Sequence, residues 1–92
     1  MARLLFRVHA VRRMSQRGVS VDDVIRVVQS GLQIAEVPSA GSDVVRVILG
    51  WSGPRPLHVV VAGSEGDEYR VVITVYEPDR RRWQADFRRR RP

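Results

Sequence analysis

His9, Arg13 and Arg17 stand four residues apart, and on a helix that spacing stacks them in one column, because residues i and i+4 are surface neighbours. The pairing of side-chain types matters chemically. Histidine, with a pKa of about 6.5, exchanges a proton near neutrality. Arginine is a permanently charged planar fork that grips phosphate with two hydrogen bonds. The chain has a second histidine, His58, set inside the apolar run Leu57 to Ala62, where a polar ring needs a partner or a purpose. These two rings are the side chains able to exchange a proton near pH 7 in a chain with neither cysteine nor lysine.

The remaining composition narrows the options. Ninety-two residues, 43% apolar and 28% charged, suit one globular domain spanning 1–92. Absence of cysteine excludes a disulfide scaffold, a thiol nucleophile and thiolate-bound metal. No HxxxH or HxH pair suggests a metal site, so no metal or other cofactor is expected. No apolar run approaches the ~18 residues of a spanning helix, and no signal-peptide core is visible. The chain reads as soluble and cytoplasmic. All sixteen basic residues are arginine, for a net charge of +6. An anionic partner is expected, nucleic acid first and an acidic protein second.

Residues 7 to 17 read as a first helix closed by Gly18, and a short strand at Arg3 to Phe6 can precede it. Ser20 is a good N-cap for a second helix, with Asp23 at the capping-box position and Val19 and Val24 as a hydrophobic staple. Val21, Val24, Ile25 and Val28 follow helical periodicity, and Gly31 is expected as a left-handed C-cap. Strands follow at Leu32 to Val37, Val44 to Leu49, Leu57 to Ala62 and Arg70 to Tyr76. Their short connections favour an antiparallel meander. A loop centred on Gly66 would set His58 opposite Thr74 and Val60 opposite Val72, with Tyr76 on the same face. Trp83 and Phe87, four apart, can anchor a short helix. The arginines Arg88, Arg89, Arg90 and Arg91 are expected in a flexible tail at about 88–92, either merely solvated or serving as an electrostatic arm.

The pattern His9-Ala10-x-x-Arg13-Met14-x-x-Arg17-Gly18-Val19-Ser20-x-x-Asp23-Val24, then Gly31, Leu57-His58-Val59-Val60 and Ile73-Thr74-Val75-Tyr76-Glu77-Pro78-Asp79 with Trp83, resembles the domain of unknown function 4258 family. That family is similar to the small ribonuclease-toxin superfamily that includes the RelE and ParE toxins. The resemblance implies an α+β fold, two N-terminal helices packed on a four-stranded antiparallel sheet. It implies a toxin-like, metal-independent endoribonuclease, acting on RNA or the ribosome and restrained by an acidic antitoxin. Some relatives of the superfamily act on proteins instead.

The motif positions His9, Arg13, Arg17, His58, Thr74 and Tyr76 are then expected to converge on the concave sheet face beside the first helix. Metal-free cleavage needs a base for the 2′-hydroxyl, an acid for the leaving 5′-oxygen and a cation for the phosphate. His9 and His58 suit the proton roles, Arg13 the phosphate, and Thr74 the orientation of His58. Alanine at either histidine is expected to reduce cleavage by about 10² to 10⁴ and leave stability little changed. Arg17, Arg55 and Arg88 to Arg91 would bind RNA phosphates. Plainer uses stand beside these: His9 at a sheet edge, Arg13 and Arg17 paired with Asp23 or Glu36, His58 and Thr74 as a cross-strand pair, and Tyr76 as packing. The rival function is a non-catalytic RNA-binding or acidic-protein-interaction module of the same fold.

Overall fold

The computed structural model describes residues 3–38, 44–64 and 66–92. Strand β1 (Arg3–Phe6) leads through Arg7 into helix α1 (Val8–Arg17), and helix α2 (Val21–Ser30) follows. Four more strands complete the body: β2 (Leu32–Pro38), β3 (Val44–Ser52), β4 (Arg55–Ala62) and β5 (Tyr69–Tyr76). Their order across the sheet is β1-β5-β4-β3-β2. The expected four-stranded antiparallel sheet is therefore corrected to five strands of mixed direction. β2 to β5 form the antiparallel meander, and β1 pairs parallel with β5 through Arg3–Tyr69 to Phe6–Val72. The architecture remains α+β. A four-residue strand emits little signal of its own; Leu4 and Phe6 pack on the helical core and hold it at the sheet edge.

Helix ends follow local chemistry. Gly18 adopts φ +65° and its N–H closes α1 on the Met14 and Ser15 carbonyls, a conformation that glycine reaches without steric cost. Ser20 and Asp23 form a complete capping box on α2, and Ser52 donates to Asp23 from the end of β3. Gly31 is not the left-handed cap expected of it, since its φ is −76°. It is glycine for space: a Cβ there would lie 2.6 Å from the Leu49 carbonyl, 2.7 Å from Ile48 Cγ2, and against the Val27 carbonyl.

The helices cover one face of the sheet. Ala10, Met14, Val24 and Val27 meet Ile48, Leu57, Val59, Val61, Val72 and Val75, all buried. Side chains alternate along a strand, so His58, between Leu57 and Val59, points to the other face. Leu49, its cross-strand neighbour, does likewise. That second face is covered by the segment after β5, through Trp83 and Phe87.

The register of β4 with β5 also departs from expectation. His58 lies opposite Tyr76, and Val60 opposite Thr74, after which Val61 faces Val72. One extra residue in β5 makes a bulge, and bulges break alternation and re-aim side chains. Val72 and Val75 both reach the helical core, and Thr74 comes within reach of α1.

Candidate nucleic-acid interface

α1 places His9, Arg13 and Arg17 on its exposed surface, beside the buried pair Ala10 and Met14. The helix carries no acidic residue, and Arg7 and Arg12 add to its charge. Steps of four residues separate the three side chains by about 6 Å along the axis. No carboxylate among the described residues pairs with Arg13 or Arg17; Asp23 is taken by Arg26 at 2.6 Å and Glu36 by Arg46 at 3.4 Å. His9 Nε2 lies 3.1 Å from the Thr74 hydroxyl, the contact that the β5 bulge makes possible. Arg17 also borders a groove with Pro56, Glu77, Pro78, Asp79 and Arg80.

Arg55 has another task. Its guanidinium donates to the carbonyls of Arg17 at 2.6 Å and Gly18 at 3.1 Å, satisfying acceptors that a helix C-terminus leaves open. Arg55 thus caps α1.

His58 is fully buried, and its hydrogen bonds fix its form. A carbonyl oxygen only accepts, so Nε2 carries the proton and donates to the Phe87 carbonyl at 2.7 Å. Nδ1 is then the acceptor for the Tyr76 hydroxyl at 3.1 Å. The rings of Tyr76 and Trp83 stand edge-on to it at 5.2 and 4.5 Å. Burial pushes the His58 pKa below 6.5, partly opposed by the bond to Phe87. Burial likewise raises Tyr76 above 10.0, with Arg90 opposing. The six motif residues therefore do not form one cluster. His9 and Thr74 meet on the helical side with Arg13 and Arg17, while His58 and Tyr76 are locked together under the C-terminal segment on the other. Thr74 orients His9 rather than His58.

A histidine held neutral has a consequence for stability. Its folded pKa lies below its unfolded value, so acid protonates the unfolded chain first. Stability is expected to decline as pH drops below about 6.5, through the folded-state pKa. Asp23, Asp79 and Asp86, lowered chiefly by backbone hydrogen bonds, add losses only below 3.8, the ordinary value. Urea melts between pH 7.5 and 5 should show the decline, and a His58→Gln chain should lack it.

The C-terminal arginines do not trail as a free arm. Trp83 bridges Arg90, Gln84 N–H donates to the Arg89 carbonyl at 2.9 Å, and Arg91 N–H to the Arg82 carbonyl at 2.8 Å. Phe87 is buried, so the expected short helix is replaced by a hairpin-like return. Arg89 pairs with Asp86 at 3.2 Å, and Arg90 lies over Trp83. Arg80 to Arg82, absent from the expected site, join the same basic surface. The signal was present in the run Arg80-Arg81-Arg82-Trp83, which shares its Arg/Trp composition with the tail.

Among the described residues, no group of three or more His, Asp or Glu is placed to hold a metal ion, and no helix is long and apolar enough to cross a membrane. A two-helix layer on a mixed sheet, with a basic α1 and a covered histidine, defines a small α+β domain built around an exposed cationic helix. Residues 6–77 match the family model described as Domain of unknown function (DUF4258), and the chain belongs to that family. No curated protein and no solved structure matches it.

Proposed function

We propose that this domain is a cytoplasmic RNA-binding module of the toxin-like kind suggested by its likeness to the RelE and ParE proteins. The supporting observation is the α1 surface, where His9, Arg13 and Arg17 line up exposed on a helix without a single carboxylate. Phosphate contacts from such a row position a nucleic-acid backbone without reading its sequence. Net charge of +6 draws the same ligand from a distance. Affinity for a labelled single-stranded RNA should fall steeply with salt, by roughly 300-fold between 50 and 200 mM if about six phosphates are neutralised. Flat affinity, or none at low salt, would reject RNA and leave an acidic protein as the partner.

A second reading keeps the endoribonuclease activity and rests on one contact, His9 Nε2 to Thr74 Oγ1 at 3.1 Å. An exposed imidazole, oriented by a hydroxyl and flanked by Arg13, can take the 2′-hydroxyl proton while the arginine holds the phosphate. His58 has no part in that chemistry: it is fully buried, with both ring nitrogens engaged.

A further inference from the structure

Residues 78–92 lie beyond the stretch matched by the family model, yet they form an ordered element against the second face of the sheet. Between Arg80 and Arg91 stand seven arginines and one carboxylate, Asp86. Trp83 and Phe87 point inward, toward His58 and Trp51, and no large apolar side chain of the segment is among the exposed ones of the described residues. The outer surface is therefore cationic without an apolar anchor. Protein partners are held by buried aromatic and aliphatic anchors, whereas a phosphate backbone asks mainly for charge.

We propose that this hairpin is a second phosphate-binding surface for RNA, ordered before binding by the His58–Phe87 contact, which makes His58 a positioning residue; the proposal rests on the reading of the domain as an RNA binder. The left-handed backbone at Phe87, φ +57°, is unusual for a bulky residue. It turns the chain where His58 donates to the Phe87 carbonyl, so that Arg82 and Arg91 close the hairpin. The guanidinium of Arg80 lies 5.3 Å from the Phe87 ring centre and that of Arg90 lies 5.5 Å from Trp83. Contact through the guanidinium face leaves in-plane N–H groups for an anion. Arg82 and Arg88 are exposed, with no side-chain hydrogen bond or ion pair among the described residues. Arg81 holds the exposed Asp79 and Arg89 the half-buried Asp86, both guanidinium groups being themselves exposed, so the pairs are weak enough to exchange for phosphate. An ordered hairpin loses less entropy on binding than a mobile arm.

The test is the affinity of the full chain for a labelled single-stranded RNA across a salt series. The double variant Arg82→Gln/Arg88→Gln should bind roughly 10- to 30-fold more weakly near physiological salt, with the log–log salt slope reduced by about 1.4. Phe87→Ala removes no charge and should weaken binding comparably, whereas Phe87→Leu, which keeps the buried anchor, should retain it. An RNA-binding parent indifferent to Arg82→Gln/Arg88→Gln overturns the proposal. So does a folded Phe87→Ala chain that binds as the parent does, because a mere string of charges would behave that way. Should tryptophan fluorescence show Phe87→Ala unfolded, the arginine pair decides alone. A parent that binds no RNA overturns the underlying reading, a result distinct from either.

Discussion

Replacing His58 with alanine is expected to destabilise the domain by about 3–5 kcal/mol. Two costs combine. The imidazole is fully buried, so its removal leaves a cavity against Tyr76 and Trp83 that the sheet cannot collapse to fill. The Phe87 carbonyl and the Tyr76 hydroxyl also lose their partners at 2.7 and 3.1 Å, and an unsatisfied buried polar group costs about 1–3 kcal/mol. That sum is a large share of the stability of a small domain. The expectation from sequence alone, that alanine here leaves stability little changed, is thus reversed. Equilibrium urea unfolding near pH 7.5 measures it, and a loss under about 1 kcal/mol would show that His58 does not carry the second face.

Alanine at His9 should do the opposite, sparing the fold and removing chemistry. The ring is exposed on α1 and its one hydrogen bond is to the Thr74 hydroxyl, so stability should change by no more than about 0.5 kcal/mol. If the domain cleaves RNA, the rate in EDTA should fall by about 10² to 10⁴, the usual effect of losing a general acid or base. Thr74→Val should lower the rate by less, because it disorients His9 without removing it. A folded His9→Ala chain that cuts as fast as the parent ends the ribonuclease reading. A parent inert toward free RNA and translating ribosomes alike leaves RNA binding without catalysis.

Local signals carried much of the architecture. Ser20 and Asp23 announce the α2 capping box, and valines at helical spacing announce its buried face. Alternation and Gly/Pro punctuation mark the four meander strands within a few residues. The His9-Arg13-Arg17 column was legible because it depends only on helical period. What escaped depends on contacts distant in sequence. The short strand at Arg3 to Phe6 was expected, but its place in the sheet was not: it pairs parallel with β5, and nothing in those four residues reports that partner. The bulge that turns Thr74 toward His9 has no glycine to betray it. The bulge moves Thr74 to the α1 side, while alternation in β4 by itself puts His58 on the far face with Tyr76. The run Arg88 to Arg91 read as a loose tail, since its order comes from Phe87, whose ring meets Trp51 and whose carbonyl accepts from His58, residues about 30 positions away.

The most direct test of RNA binding through α1 is the salt dependence of RNA affinity for the parent and for Arg13→Gln/Arg17→Gln, measured side by side. Both arginines are exposed and unpaired with any described carboxylate, so the variant should fold like the parent. With two phosphate contacts removed, the slope of log K against log salt for a single-stranded RNA should become shallower by about 1.4, the two lines converging at high salt. Superimposable lines would contradict the assignment, because RNA would then be held without the α1 column.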